Sequence, residues 1–461
     1  MSSTTTTVVR HKSIMTMRQI LLMNLGFFGI QYSFGMQQTA MTPLYSMLGA
    51  NADELPLLNL AGPVTGLVLQ PIIGAMSDGT WVEKGFFRGR RRPFFLVGAI
   101  GCAICLFLFP FVWAVWMAAV LLWLLDASNN TAMEPYRAFI ADKLPPSQLG
   151  KGFLAQSFFT GLGITLANLS ITFFQWIFGL GSGHGVPKWA FGAFMLGSFC
   201  SLVTVLISVT STPEDVPSPE ELAAIRAAKK QSGGVKKFFT EIGSAIVDMP
   251  TPMRVLALVY LFQWFAMNCY WQYISLAIAK ISYHTTDLNS PGGQLATAQA
   301  GKVNATYNIV TFCVAFGLVA LAQKIGAKWV HSICLWCATA SLLIFPHMTS
   351  ATGQIVAIVG LGVAWASIMG VPYIMIVRMV PSTRYGVYMG IVNMMIVIPM
   401  LIQTLSFGAI FKHFLGNDPT NAIMFAGVLL AIAGVVMLFI KEPPIVKDVD
   451  DLTSTIPQGA H

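Results

Sequence analysis

The dominant pattern along the chain is a run of apolar residues that recurs between short polar segments. Twelve such windows of about 20 residues occur, each long enough to cross a bilayer as a helix. Their approximate bounds are 20–48, 55–76, 93–111, 113–141, 152–178, 188–209, 253–279, 302–322, 329–346, 353–378, 387–411 and 421–440. Alternating segments of about ten residues, typical of a membrane β-barrel, are absent from the sequence. The pattern predicts an all-α membrane protein with 12 transmembrane helices.

One stretch interrupts the pattern and divides the windows into two sets of six. Residues 211–239 are charged and contain Pro and Gly, as expected of a solvated linker with a short surface helix. The predicted divisions are a tail 1–19, a six-helix bundle 20–210, a linker 211–250, a second six-helix bundle 251–441 and a tail 442–461. Transporters in which two repeats rock around a midplane site have this organisation.

The charge distribution predicts the orientation of the chain. Only 10% of the residues are charged and 55% are hydrophobic, which fits a membrane protein and not a soluble one. Lys and Arg concentrate in the two tails and the even-numbered loops, so both termini and the linker are expected to be cytoplasmic. The net charge of +8 reflects this bias. No basic face with interleaved aromatic residues suggests a nucleic-acid partner.

The fourth window carries charges inside an apolar segment. Asp126, Asn130, Glu134 and Arg137 share one helix face, with Pro135 bending the register nearby. Charges at this depth are costly, so they require partners or a function. Arg137 needs an anion, and either Glu134 or Asp126 can supply it. The carboxyl group left unpaired can exchange a proton near neutral pH, as a proton-coupled carrier requires. Two alternatives are that the charges only join helices or that they bind substrate without coupling.

Polar residues recur on faces of other windows. Amide and indole side chains of this kind suit a neutral polyol, by hydrogen bonds to hydroxyl groups and an aromatic plane against a sugar ring. The candidate substrate contacts are Gln31, Gln37, Gln38, Asn130, Trp264, Asn268, Trp271, Asn308 and Asn393. Contacts between helices are the alternative for any one of them. No catalytic, nucleotide-binding or metal-binding motif appears, so neither enzyme activity nor a cofactor is expected.

The loop between the second and third windows combines an acid with a basic cluster. It contains Gly74, Asp78, Gly89, Arg90, Arg91 and Arg92. A carboxylate facing guanidinium groups can form a latch that holds one conformation and breaks in another. Ordinary cytoplasmic positive charge is the alternative interpretation.

Three stretches carry a family resemblance: NLAGPVTGLVLQPIIGAMSD, LLDASNNTAMEPYRAFIAD and GVAWASIMGVPYIMIVRMVPSTRYGVYMGIVNMMIVIP. With GAMSD and GRRR, they resemble the major facilitator superfamily, and within it the glycoside–cation symporters that include plant sucrose transporters and bacterial disaccharide carriers. The resemblance implies the major facilitator fold. It also implies that Asp126 is the proton acceptor, that Arg137 couples sugar to proton, and that Gln37 and Asn393 are functional positions.

The chain departs from the plant pattern at three places. Plant members have a small residue at the position of Glu134 and a glutamine at the position of Met400. They carry acids in the seventh helix, where this chain has Asn268 and Trp271. These departures bear on which sugar is carried and on the pairing of Arg137.

The sequence therefore predicts a secondary transporter that imports a neutral disaccharide, maltose or sucrose, together with a proton. Sodium could replace the proton, because a carboxylate with nearby amides can ligate it. A multidrug–proton antiporter of the same fold and a non-transporting membrane sensor are the alternative functions. The expected partners are the disaccharide, the proton and the lipid bilayer, with the protein monomeric in a bacterial inner membrane.

Overall fold

The computed structural model describes residues 13–181, 186–223, 249–379 and 385–441. Helices account for nearly all of these residues. The described ranges contain no β-strand, only an isolated bridge between Val82 and Gly89. The prediction of an all-α protein is confirmed.

The N-terminal half consists of helices that follow the first six apolar windows. They are α1 (Met17–Asn24), α2 (Gly26–Met47), α3 (Leu55–Leu58), α4 (Ala61–Asp78), α5 (Arg92–Leu108), α6 (Val115–Lys143), α7 (Pro146–Phe178) and α8 (Lys188–Ser211). A 3₁₀ turn at Phe109–Phe111 extends α5. The first helix begins at Met17, inside the predicted tail, because Thr16 and Gln19 form a capping box there.

The C-terminal half repeats this arrangement. Its helices are α9 (Thr251–Tyr283), α10 (Pro291–Ile325), α11 (Ala327–Ile344), α12 (Ala351–Ala357), α13 (Val359–Met379), α14 (Tyr385–His413) and α15 (Pro419–Met437). A 3₁₀ turn at Phe345–His347 follows α11. Of the predicted linker, the structure describes only 211–223 and 249–250, with a helical turn over 219–223. Residues 1–12 and 442–461 of the predicted tails lie outside the described ranges.

Eight helices in the described ranges are long and apolar enough to cross a membrane. The other four predicted spans fall on α2, α6, α9 and α10, which are long but carry amide, hydroxyl or charged side chains. A helix with polar groups in the middle of a span must turn them away from lipid. Three of these four helices, α2, α6 and α9, line the internal cavity described below.

Packing within each half is extensive, and several helix pairs join the halves. In the N-terminal half, α2 packs on α7 and α8, and α6 packs on α4 and α5. In the C-terminal half, α9 packs on α14 and α15, and α13 packs on α10 and α11. Between the halves, α7 contacts α10, α3 and α4 contact α14, and α2 contacts both α9 and α10. The cavity therefore lies between two helical groups and not inside one of them.

The halves are tied together at the end of the molecule where α2 and α9 finish and α10 begins, which we name the closed end. Tyr273 donates a hydrogen bond from its hydroxyl to the backbone oxygen of Ala52, 2.7 Å away. Gln294 accepts from the Gly181 amide at 2.7 Å and from the Trp189 indole at 2.9 Å. These bonds connect α9 and α10 to segments of the N-terminal half, so separating the halves at this end breaks them.

Candidate substrate cavity

A cavity of about 400 Å³ lies between the halves, within the range of roughly 300–1,000 Å³ typical of small-molecule sites. Its wall comes from α2, α4 and α6 on one side and from α9, α13 and α14 on the other. The wall toward the closed end is sealed by the contacts between the halves. Arg137, eleven residues from Asp126 along α6, has a side chain that is 47% exposed, so the cavity is reached from the opposite end.

Asp126 is the buried acid of this cavity. It is 2% exposed and stands on the wall between α2 and α4. Its Oδ1 has no hydrogen-bond partner among the described residues, and no described Lys or Arg pairs with the carboxyl group. The Gln37 side chain lies beside Asp126, and its Nε2 also lacks a hydrogen-bond partner in the described part of the chain. Both groups are therefore available to a bound molecule.

A small residue keeps the approach to Asp126 open. A Cβ added at Gly62 in α4 would lie 3.7 Å from Asp126 Oδ2, an ordinary van der Waals contact. Because glycine has no side chain, the Asp126 carboxyl oxygen beside Gly62 faces the cavity and not an alkyl group. A side chain larger than alanine at Gly62 would add atoms beyond this Cβ position.

Arg137 pairs with Glu134 and not with Asp126. The distance from Arg137 Nη1 to Glu134 Oε1 is 2.8 Å. Arg137 Nη2 also contacts the sulfur of Met133 at 3.6 Å. The sequence left the partner of Arg137 open, and this geometry leaves Asp126 as the carboxyl group without a cation. Arg137 contributes to the cavity wall, whereas Glu134 does not.

Gln70 belongs to the N-terminal wall and was missed in the sequence analysis. Its Nε2 donates to Asn130 Oδ1 at 2.7 Å. Asn130 in turn donates to Thr65 Oγ1 at 3.2 Å and to the backbone oxygen of Asp126 at 2.9 Å. The available signal was spacing, since Gly62, Gly66 and Gln70 recur every four residues and share one face of α4. The predicted contact residue Asn130 is therefore oriented by three polar neighbours.

The C-terminal wall carries a chain of amide groups. Asn268 Nδ2 donates to Gln403 Oε1 at 2.6 Å, and Gln403 Nε2 donates to Gln272 Oε1 at 3.0 Å. Asn268 and Gln272 both reach the cavity, while Gln403 lies behind them. Gln272 was not among the predicted contacts, although it follows the predicted residue Trp271 directly in the sequence.

Two indole rings stand on the same wall. Trp264 and Trp271 line the cavity, and Trp365 packs edge-on against both, with ring centroids 5.7 and 5.4 Å apart. Trp271 Nε1 donates to the hydroxyl of Tyr307 at 3.1 Å. Trp264 Nε1 is buried without a partner in the described ranges. Trp365 thus holds two aromatic planes in fixed orientations, with one free donor.

The structure brings most of the predicted contact residues together. Those on the cavity wall are Gln37, Gln38, Asn130, Trp264, Asn268, Trp271 and Asn393. Gln31 and Asn308 lie off the wall of this cavity, and their contact with substrate stays a prediction. Gln31 points toward Met133 Sδ at 4.0 Å, and Asn308 donates to the backbone oxygen of Asn304 at 2.8 Å. Both side chains are used in packing between or along helices.

The polar side chain of Asn304 in α10 joins the two halves and does not line the cavity. Asn304 donates to Thr39 Oγ1 at 2.8 Å and accepts from the Tyr270 hydroxyl at 2.7 Å. Thr39 also donates to Asn168 in α7. This network joins α2 and α7 to α9 and α10. Its residues are buried, so they hold the two halves together instead of meeting substrate.

The ion pairs expected in the predicted latch form at the end opposite the closed end, and the role of these pairs in holding one conformation stays a prediction. Asp78 accepts from Arg91 at 2.7 Å and from Arg90 at 3.2 Å. Arg91 also bonds to Asp142 at the end of α6, at 2.9 Å. Glu214, after α8, accepts the backbone N–H groups of Arg90, Arg91 and Arg92, each at 2.8 Å. Asp142 and Glu214 were missed, because nothing local in the sequence ties them to this loop.

Of the two glycines in the predicted latch, only Gly89 is required by this geometry. Gly89 has a φ of +139°, and a Cβ there would lie 2.5 Å from Glu214 Oε1. Glycine is therefore required both by the backbone and by the carboxylate. A Cβ added at Gly74 in α4 would have no other atom within 4 Å. The partners described here all belong to the N-terminal half, so these contacts link α4, α5, α6 and the segment after α8.

The fold and the cavity between two helical halves define a membrane transporter. The sequence profile of the Major Facilitator Superfamily matches residues 23–396, and the chain belongs to this family. It is an integral membrane protein and a transporter, not an enzyme, as the sequence predicted.

Similar proteins extend the comparison. The chain is 25% identical over 476 residues to the sucrose transport protein SUT5 of Oryza sativa subsp. indica, covering 89% of this chain and 85% of that protein. It is 26% identical to SUT3 of Oryza sativa subsp. japonica, covering 89% and 90%. The predicted resemblance to plant sucrose transporters is confirmed.

Solved structures share the fold. The nucleoside transporter NupG superposes with a TM-score of 0.67 at 12% identity, covering 93% of this chain and 100% of that chain. A D-xylose–proton symporter superposes with a TM-score of 0.64 at 16% identity, covering 93% and 98%. At these identities the likeness concerns the fold alone.

Proposed function

We propose that this protein imports a neutral disaccharide of the α-glucoside class, maltose or sucrose, in symport with a proton. The observation that carries the proposal is the buried Asp126 carboxyl group, which has no cationic partner among the described residues and faces a cavity lined with amides and indoles. An ionisable group at membrane depth without a structural partner is a candidate for ion coupling.

Unpartnered donors support a hydroxyl-rich substrate. Gln37 Nε2 on one wall and Trp264 Nε1 and Gln272 Nε2 on the other are buried without partners in the described ranges. A buried donor without an acceptor costs free energy, which a ligand oxygen would recover. A disaccharide carries many such oxygens, and its rings could lie against Trp264 or Trp271. The relatives named as sucrose transport proteins support the same substrate class.

The coupling follows from alternating access. In the conformation described here, the cavity is closed at one end and reached from the end that carries Arg137. With the orientation predicted from the basic loops, that end is cytoplasmic, and Asp126 would release its proton there. Sugar and proton together would favour the exchange between the two conformations, because each biases the same equilibrium. A bacterial inner membrane is the proposed location.

The test is sugar-evoked alkalinisation of a lightly buffered suspension of de-energised cells that express the protein. Addition of sucrose or maltose should raise the external pH, and Asp126→Asn should abolish the rise. Asp287→Asn is the matched control, because Asp287 lies in the exposed segment between α9 and α10. Sugar uptake by wild-type cells without any pH change would overturn proton symport and point to sodium coupling or facilitated diffusion.

The alternatives remain measurable in the same cells. A multidrug–proton antiporter would confer resistance to cationic drugs and show no response to sugar. A non-transporting sensor would give neither sugar uptake nor drug resistance. The amide-rich cavity favours the sugar importer over both.

A further inference from the structure

The side chain of Gln272 has one satisfied end and one free end. Its Oε1 accepts from Gln403 Nε2 at 3.0 Å, while its Nε2 has no partner in the described part of the chain. The residue is 4% exposed and belongs to the cavity wall. A buried amide nitrogen of this kind favours a bound molecule that supplies an acceptor oxygen.

The donor and acceptor ends of the three amides Asn268, Gln403 and Gln272 are determined by the contact of Asn268 with Thr404. Thr404 gives its hydroxyl proton to the backbone oxygen of Met400 at 2.7 Å, so its Oγ1 can only accept from Asn268. Asn268 Nδ2 lies 3.4 Å from that Oγ1 and 3.5 Å from the Met400 oxygen. Both the Thr404 hydroxyl oxygen and the Met400 backbone oxygen are acceptors, so the end of the Asn268 amide that faces them must be its nitrogen.

This polarity passes along the chain of amides. Because Asn268 presents its nitrogen, Gln403 must turn its Oε1 toward it, at 2.6 Å. Gln403 then directs its nitrogen toward Gln272, so the Gln272 oxygen must accept this hydrogen bond. An amide has one oxygen and one nitrogen, so the group that Gln272 turns toward the cavity is a donor.

We propose that Gln272 is a specificity-determining residue that donates a hydrogen bond to an acceptor oxygen of the sugar, with Gln403 as the positioning residue that sets its polarity. This inference rests on the proposed function, since it assumes that a sugar occupies the cavity. It assigns the C-terminal half a defined donor opposite Asp126.

Binding to the purified full-length protein tests the inference without reference to proton coupling. Sucrose and maltose are titrated by isothermal calorimetry against wild type, Gln272→Leu and Gln403→Glu. Gln403→Glu, titrated above the pKa of the new carboxyl group so that both of its oxygens accept, keeps an acceptor for Asn268 but offers oxygen to Gln272, which must then turn its own oxygen toward the cavity. Both variants should weaken binding by about tenfold, the effect of one buried hydrogen bond left unmade.

The matched control is Gln299→Leu. Gln299 is buried in α10 and donates to the backbone oxygen of Ala351 at 2.9 Å, away from the cavity wall. Its affinity should equal that of wild type. If Gln272→Leu does not fold, Gln403→Glu still decides, because it leaves every cavity residue in place.

The outcomes separate this inference from the proposed function. If wild type binds sugar and Gln272→Leu binds it with the same affinity, the role of Gln272 is overturned and the proposed sugar transport stands. If only Gln403→Glu folds, the same conclusion follows from an unchanged affinity in that variant. Absence of wild-type binding to either sugar overturns the proposed substrate, and the inference with it. Wild-type binding that is weakened in both variants and kept in Gln299→Leu supports both.

Discussion

Thr42 in α2 donates a hydrogen bond to the backbone oxygen of Gln272 in α9, across 2.9 Å and across the boundary between the two halves. Both residues also line the cavity. The closed end and the substrate cavity therefore meet at this bond. A movement that opens the closed end must break it, and a ligand held by Gln272 lies directly beside it.

Replacing Thr42 by Val should favour opening of the closed end. The variant keeps the shape of the side chain and removes the donor, a loss of about 1 kcal/mol, or roughly a fivefold change in the ratio of the two conformations. The measurement is double electron–electron resonance between spin labels at Trp176→Cys and Phe414→Cys, which lie at the closed end on opposite halves. Opening of the closed end should appear as a larger population of long distances between the two labels. Thr42→Ser keeps the hydroxyl and should match wild type. Equal distributions in all three proteins would contradict the role of the bond.

Replacing Glu134 by Gln distinguishes the two carboxyl groups of α6. The Glu134–Arg137 pair is partly exposed, so its loss should cost at most about 1 kcal/mol and lower the transport rate up to about fivefold. The sugar-evoked alkalinisation should persist at a reduced rate, in contrast to Asp126→Asn. Complete loss of the pH signal with retained sugar binding in Glu134→Gln would assign the titrating role to Glu134.

Substitution at Gly62 tests whether Asp126 must face the cavity. Alanine places its Cβ 3.7 Å from Asp126 Oδ2 and should leave proton-coupled uptake nearly unchanged. Valine adds two methyl groups beyond that point and covers the carboxyl oxygen, so uptake should fall by about tenfold, as expected for overpacking in a tight site. The measurement is initial uptake of radiolabelled sucrose by energised cells. Equal rates for Gly62→Ala and Gly62→Val would show that this approach is not used.

The carboxylate of Glu214 should contribute to the stability of the N-terminal half. Glu214→Gln replaces one of two acceptor oxygens with a donor that faces backbone N–H groups, at a cost of about 1.5–3 kcal/mol. The midpoint of thermal unfolding in detergent should fall by several degrees, with roughly 2–4 °C lost for each kcal/mol. Glu220→Gln alters an exposed acid nearby and should have no effect. Equal midpoints for both variants would exclude a structural role for Glu214.

The membrane spans and the polar residues within them could be predicted from the sequence, because the hydrocarbon of the bilayer limits which residues and which backbone structure can lie in it. Each of the twelve windows falls on described helices, since a backbone in hydrocarbon must satisfy its own hydrogen bonds and does so as a helix. Asp126 could also be singled out, because a charge at this depth is rare and costly. These inferences require only local composition and helical periodicity.

The partners of individual side chains were not accessible in this way. Asn304 and Asn308 share one face of α10, and Asn304 bonds there to α2 and α9 and not to substrate-facing groups. Gln272 and Gln70 reach the cavity, whereas Gln31 does not. Residues far apart in the sequence, such as Glu214 and Arg91, meet only through the packing of α5 beside α8.

By itself, the sequence determined an all-α membrane protein, its polar helices and the acid at the centre of the fourth span. Only the tertiary structure decided which amides face the cavity, that Arg137 pairs with Glu134, and that the halves are closed at one end. The physical reason is that hydropathy and periodicity describe each helix relative to itself. The rotation and depth of one helix against another depend on packing between residues that are distant in the chain.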